Sequence, residues 1–266
     1  MIGQRWLRGR TRWVRPPDRP LFDPRQHEVA RVPERVARAI VEAHHYSRSL
    51  PSALRCYGLY NGPFCVGAVV IGYPMNDATL TGPWPDLVPG QESAEISRVV
   101  LLPGAAFNAA SWTLRRVFEL ERKRGTLALL AFSDPVRRTA VDGRIVLPGH
   151  VGVTYVALGF TYASRSRPRT LLLLPDGCAI VDRTLQKISA QERGWKGALR
   201  RLLAAGLPAP TTSDLASWTR TARSLLRPLK HGGNHRYLLA LDPIVGLPTR
   251  GTRPPTTVDP IQDLLL

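Results

Sequence analysis

The segment from Ala94 to Phe132 constrains the fold more than any other part of the chain. AEISRVVLL (Ala94–Leu102) alternates and then turns apolar, the mark of a strand buried in a sheet. Past a loop of small residues, NAASWTLRRVFELERK (Asn108–Lys123) repeats its apolar positions at helical spacing. Asn108 is placed to cap that helix and Gly125 to stop it. LALLAF (Leu127–Phe132) is a second buried strand, ended by Ser133-Asp134-Pro135. Strand, helix and strand in this order predict an α/β domain with helices packed on a mixed sheet.

The flanking sequence fits that scheme. PERVARAIVEAHHY (Pro33–Tyr46) sets Val36, Ile40 and Val41 on one helical stripe behind a proline start. Leu54–Tyr60 and Cys65–Gly72 surround Asn61-Gly62-Pro63, a β-hairpin signal. Pro74–Gln91 is rich in Gly and Pro, lacks periodicity and reads as a loop. His150–Leu158 has a helical rhythm before Gly159-Phe160 restarts a strand. Thr170–Leu174 and Cys178–Asp182 form a second hairpin around Pro-Asp-Gly. The chain thus divides into a basic arm (1–28), a body (29–247) carrying a basic helical insertion (183–236), and a Pro/Thr-rich tail (248–266).

Charge indicates a partner. Lys and Arg outnumber Asp and Glu by 37 to 20, a formal +17. An excess of that size argues for a polyanion, whether double-stranded DNA, RNA or an acidic membrane surface, and is concentrated at both ends of the chain. The arm holds Arg5, Arg8, Arg10 and Arg12 interleaved with Trp6 and Trp13, a pattern suited to phosphate contact and base stacking. In the insertion, Lys196, Arg200 and Arg201 share a helical face opposite Leu199, Leu202 and Leu203, and His235 and Arg236 follow. Cys56, Cys65 and Cys178 form no C-x-x-C pair, which fits a reducing, cytoplasmic setting. No run approaches the roughly 20 apolar residues of a membrane span.

Three polar clusters stand where apolar elements end: His44-His45-Tyr46-Ser47, Ser133-Asp134-Pro135, and Gly149-His150-Val151-Gly152 with Tyr155. Sheets of this class build ligand sites just beyond their strand ends. Histidine moves protons near neutral pH, and a carboxylate such as Asp134 accepts one or orients an imidazole. Each cluster also has a plain structural reading: a helix cap, a turn, or glycines that relieve crowding between helix and sheet. The loop into Asn108, Ala109, Ala110 and Ser111 offers helix N–H groups to an anionic donor, with Ser97 and Arg98 before it. His44, His45 and His150 could contribute to an iron site, although their spacing matches no defined metal motif.

HHYSRSLP, AEISRVVLL, AFSDP, GHVGVTYVALGFTY and NHRYLLAL, in that order, resemble the Mom family of phage DNA-modification proteins, which in turn resemble the GNAT acyltransferase fold. The resemblance spans about residues 33–240. It implies an α/β, GNAT-like mixed central sheet flanked by helices, with a basic C-terminal hairpin and helices appended. It implies conversion of adenine in DNA to N6-(carbamoylmethyl)adenine, which shields phage DNA from restriction, in the cytoplasm of the host cell. Carried over by position, His45 and Tyr46 match the family's H-Y pair, Ser97 its strand serine and Asp134 its acidic strand end. His150 matches its glycine-flanked histidine and Tyr155 its helix tyrosine. Acetyl-CoA is the donor that the GNAT resemblance implies. The Q/R-x-x-G-x-G/A pyrophosphate loop of GNAT enzymes is nevertheless absent, and PGAAFNAAS stands in its place. Two other readings of the residues remain: an N-acetyltransferase for a small-molecule or protein amine, and a non-catalytic DNA-binding accessory protein.

Overall fold

The computed structural model describes residues 22–102, 105, 108–247 and 254–259, and the backbone of two short strands, β1 (Gly3–Leu7) and β2 (Arg10–Val14). The chain continues through β3 (His27–Arg31), α1 (Glu34–His44), β4 (Ala53–Asn61), β5 (Phe64–Gly72), α2 (Ala78–Thr81), β6 (Ser93–Leu101), α3 (Ala109–Lys123) and β7 (Ala128–Ser133). Next come β8 (Arg138–Thr139), β9 (Ile145–Leu147), α4 (Val153–Ala157), β10 (Thr161–Arg165), β11 (Arg169–Leu173) and β12 (Ala179–Ile180). The last elements are α5 (Asp182–Ser189), α6 (Trp195–Ala204), α7 (Leu215–Ser224), β13 (Arg227–His231) and β14 (His235–Ala240). Met1–Asp134, His150–Arg165 and Asn234–Thr257 form one compact unit; Pro135–Gly149, Ser166–Gly233 and Val258–Leu266 form a second. Among the described residues, no helix is long and apolar enough to cross a membrane.

The first unit is built on a seven-stranded sheet of order β10-β14-β7-β6-β5-β4-β3. Every neighbouring pair is antiparallel except β6 and β7, which α3 joins as a parallel pair. Alternation explains how both faces are covered. Val69, Ile71, Leu129 and Ala131 pack with Leu114, Val117 and Phe118 of α3, while Ala68 and Val70 pack with Ala37 and Val41 of α1. The mixed α/β sheet flanked by helices that the sequence predicts is therefore present. Val41, fully buried on the predicted α1 stripe, contributes about 1.5–3 kcal/mol by leaving water.

In the second unit, β12, β11 and β13 form an antiparallel sheet, and β8 and β9 form a hairpin. Leu172 and Ile180 pack with Leu185, Ile188, Leu202 and Trp218 from α5, α6 and α7. The predicted second hairpin is β11 with β12, shorter at its far end because α5 starts at Asp182.

Several elements depart from the sequence reading. The arm holds an antiparallel ladder from Gly3↔Val14 to Leu7↔Arg10, and β3 crosses its far boundary. HEVAR has one aliphatic position besides its alanine, too little pattern to mark a strand, and its pairing with β4 supplies the order. The loop after β5 contains the single turn of α2. Most consequential, residues 227–236 are not helical. His235 and Arg236 lie in β14, between β7 and β10, because HRYLLA pairs along both its edges.

Candidate active site

β6 and β7 pair only from Ser93↔Ala128 to Ile96↔Ala131. Beyond that rung Arg98–Leu101 stays with β5, and Phe132 and Ser133 stay with β14, so the two carboxyl ends part. Parallel neighbours that diverge leave backbone edges unpaired at the position where open α/β sheets take ligands.

A β-bulge sits at the same point. Val70 of β5 pairs with Arg98 but Ile71 pairs with Ile96, so Ser97 is an extra residue in β6. The cores show the effect: Ile96 and Val99, three apart, both pack on the α3 side, and Val100 packs on the α1 side. Glu95 and Arg98 consequently share the α1 face, whereas a regular strand would put them on opposite faces. Gly72 lies opposite Glu95, and a Cβ there would stand 2.2 Å from the Ser97 hydroxyl oxygen. The glycine makes room for the serine.

Arg98 is fixed by two carbonyls. Its Nε donates to Ser49 O at 3.0 Å and its Nη1 to Ser97 O at 2.6 Å, tying β6 to the loop after α1. Burial pulls its pKa below the usual arginine value, and the nearby Tyr46, Glu95 and Tyr155 oppose that pull. Tyr155 reaches this group from α4. Burial holds its phenol well above the ordinary tyrosine range, Tyr46, Glu95 and Tyr237 add to the shift, and Arg98 counters it. At neutral pH Tyr155 is a neutral hydroxyl. Burial likewise raises the Glu95 carboxyl, with Arg98 opposing.

Tyr237 of β14 sets the position of α4. Its hydroxyl donates to Val151 O at 2.5 Å, and its ring lies 5.7 Å from that of Tyr155. Gly152 has φ 68°, and a Cβ there would come within 2.5 Å of the Tyr237 ring. Only glycine fits on both counts. Of the plain readings of GHVGVTY, relief of crowding holds at Gly152. Burial pushes the Tyr237 phenol up to about 12.

The sequence-predicted residues fall into groups. Tyr46, Ser97, Arg98 and Tyr155 gather where β6 and β7 part. His45 is the C-cap of α1, stacked 4.1 Å from Tyr46, with its Nδ1 2.7 Å from Ser47 Oγ. Asp134 and His150 pair at the end of β7: the His150 N–H donates to Asp134 O at 2.8 Å, and Asp134 N lies 3.4 Å from His150 Nε2. Asn108–Ser111 form the start of α3 as predicted, but Asn108 is left-handed at φ 66° and its side chain makes no cap. Ser111 turns its hydroxyl back to Asn108 O, and Ala109 is buried beside Phe22 and Leu59. Among the described residues, no group of three or more His, Cys, Asp and Glu is arranged to hold a metal, so the three histidines assemble no iron site.

The residues expected at DNA divide similarly. Lys196 and Arg200 are exposed on α6. Arg201 turns inward, where burial lowers its pKa against the pull of Cys178 and Asp176, so it leaves the predicted cationic face. His235 is 5% exposed with Nδ1 3.3 Å from the Tyr162 hydroxyl, and Arg236 buries its Nε in the same strand. A histidine in the middle of a sheet is not a surface phosphate contact. Arg8 and the side chains of Arg5, Arg10 and Arg12 lie outside the described residues.

Sequence reasoning missed Glu95 and gave Tyr237 no role. The signal for Glu95 was its place two residues before the strand serine, in a run that becomes wholly apolar.

Comparison with known proteins decides the family. A sequence model of the Mom protein family matches residues 26–246. The chain belongs to the Mom protein family. No curated protein matches it. Among solved structures, this Mom-family chain is similar to a tandem GNAT protein from the clavulanic acid biosynthesis pathway, at 14% identity and TM-score 0.36, covering 74% of this chain and 66% of that one. It is also similar to a Bacillus subtilis acetyltransferase in complex with CoA, at 8% identity and TM-score 0.38, covering 81% and 97%. A GNAT family acetyltransferase from Elizabethkingia anophelis with acetyl-CoA bound matches at 8% identity and TM-score 0.36, covering 81% and 98%.

Proposed function

We propose that this protein is a DNA-modifying transferase that converts adenine to N6-(carbamoylmethyl)adenine. The observation that carries the reading is the group of Tyr46, Ser97, Arg98 and Tyr155 at the parting of β6 and β7, within a chain of the Mom family. The adenine amine is a poor nucleophile, because its lone pair is delocalised into the ring. A catalyst must therefore hold it close to an electrophilic carbon and exclude water. The target also lies inside a duplex and must be turned out and stacked, for which Tyr46 is suited.

Arg98 and the neutral Tyr155 hydroxyl would polarise the donor's oxygen, since both are donors set in a partly desolvated place. The parted edges of β6 and β7 fit the extended, amide-bearing arm of a donor such as acetyl-CoA, and Ser97 stands beside them. The loop before α3 carries no glycine pattern for its pyrophosphate. Acetyl-CoA by itself would leave an acetyl group on N6, so the carbamoylmethyl product needs a donor whose reacting atom is the methylene carbon beside a carboxamide. Lys196 and Arg200 would contact phosphates, adding affinity with little sequence preference.

The test is mass spectrometry of nucleosides from the DNA of cells expressing the chain. The reading expects a modified adenine whose mass fits an added carbamoylmethyl group. Unmodified nucleosides alone, with the protein shown to be expressed and folded, would remove it.

A further inference from the structure

We propose that Glu95 is the catalytic base, the group that accepts a hydrogen bond from the adenine amine and takes its proton. This rests on the reading above and assigns a role to a residue that sequence reasoning left out.

Two glutamates of the first unit make the case by contrast. Glu121 is fully buried, and its oxygens accept from Arg55 Nε and Nη2, Tyr57 OH and Thr126 Oγ1. That carboxylate is saturated and structural. Glu95 is part-buried, yet among the described residues no donor stands within hydrogen-bond distance of its carboxylate. A carboxylate only accepts, and leaving one half out of water without a donor is costly unless a ligand supplies it. The amine of a base turned into the site is such a donor.

Placement agrees. Glu95 sits one rung before the last pair of β6 with β7, and the bulge at Ser97 turns it to the face of Arg98. It lies within electrostatic reach of both Arg98 and Tyr155. It thus shares a face with Arg98, while Tyr155, packed in the α3-side core, lies close enough to feel both charges. Burial also raises its carboxyl above the usual range, which brings a base closer to neutrality and makes it more effective.

The earlier candidates are less well disposed. The His45 Nδ1 is already engaged by Ser47, whose N–H donates to it at 3.1 Å and whose Oγ lies 2.7 Å away. Asp134 is 6% exposed and placed with His150 at the end of β7.

The step balances. The N6 lone pair forms a bond to the methylene carbon of a carbamoylmethyl donor, and the leaving group on that carbon departs with the electrons of the bond it loses. The N6 proton passes to Glu95 and from there to the leaving group, restoring the carboxylate.

The experiment compares full-length wild type, Glu95→Gln and Glu95→Asp in cells, reading modified adenine by mass spectrometry. Melting of each purified protein and anisotropy of a fluorescein-labelled duplex run beside it. Glu95→Gln is expected to melt near wild type, bind the duplex within twofold, and lose modification by at least about 100-fold. Glu95→Asp keeps a carboxylate and is expected to fall between the two. Modification by Glu95→Gln at the wild-type level overturns the assignment and leaves the transferase reading standing. If Glu95→Gln fails to fold, Glu95→Asp decides: activity at least tenfold below wild type supports the base, and equal activity overturns it. A folded wild type that modifies nothing removes the transferase reading itself, and the assignment with it.

Discussion

Substituting Glu121 by Gln tests whether the first unit is held together by charge as well as by apolar packing. The carboxylate accepts from Arg55 at 2.6, 2.8 and 3.0 Å, from Tyr57 at 2.5 Å and from Thr126 at 2.7 Å, joining β4 and α3 to the turn before β7. Arg55 also donates to Gly90 O at 3.1 Å, so the loop before β6 belongs to the same network. An amide keeps the shape but removes the charge opposite a guanidinium that is 8% exposed. Breaking one side of such a pair costs about 3–5 kcal/mol, because the remaining ion stays buried. Amide hydrogen exchange resolved to β4 and α3 reads the first unit apart from the second. Protection there should fall by about 2–3.5 decades, the same energy at about 1.4 kcal/mol per decade. Arg55→Met with Glu121→Leu, which removes both ions, should cost much less than either single change. A loss below tenfold in Glu121→Gln would falsify the account.

Acid provides a second test of that network: burial alone would raise the Glu121 carboxyl, but the bonds from Arg55, Tyr57 and Thr126 outweigh it and hold the pKa below the usual range. Its contribution is therefore complete above the unfolded value of about 4.3 and lost as pH falls through the folded one, which urea titrations between neutral pH and pH 3 would show as a loss absent from Glu121→Gln. Gly152→Ala should destabilise the first unit by about 2–4 kcal/mol, from the left-handed backbone and the Tyr237 contact, and thermal melting would detect it. Tyr155→Phe should cut modified adenine by about 100-fold while duplex affinity stays put, as nucleoside mass spectrometry and anisotropy would show. Lys196→Glu with Arg200→Glu should weaken duplex binding for every sequence alike and lower the salt slope by about 2, measured by anisotropy across a salt series.

The strongest patterns in the sequence became the middle of the sheet. Ala94–Phe132 reads as strand, helix and strand because its core positions repeat at 2 and then 3.6 residues, and β6, α3 and β7 follow within a residue or two. β3 was illegible because its order comes from pairing, not from its own side chains. His235 and Arg236 were misread for a related reason: a basic segment suggests a solvated surface, and only the pairing of β14 with β7 and β10 shows them inside a sheet. At the site, Tyr46, Ser97, Arg98 and Tyr155 could be named from motif order. Glu95 could not, because one inserted residue decides which face it shares, and a bulge leaves no mark in a run such as AEISRVVLL.

The order of strands also constrains how the protein is made. β14 lies between β7 and β10, yet the chain leaves the first unit at Arg165 and returns to it only at Asn234. During synthesis the ribosome must therefore produce the whole intervening segment while β7 keeps an unfilled edge, a template for wrong partners. A message cut short before Asn234 would yield α1, α3 and most of the sheet, but no Tyr237 to seat α4. Such a product would be a target for chaperones and proteases.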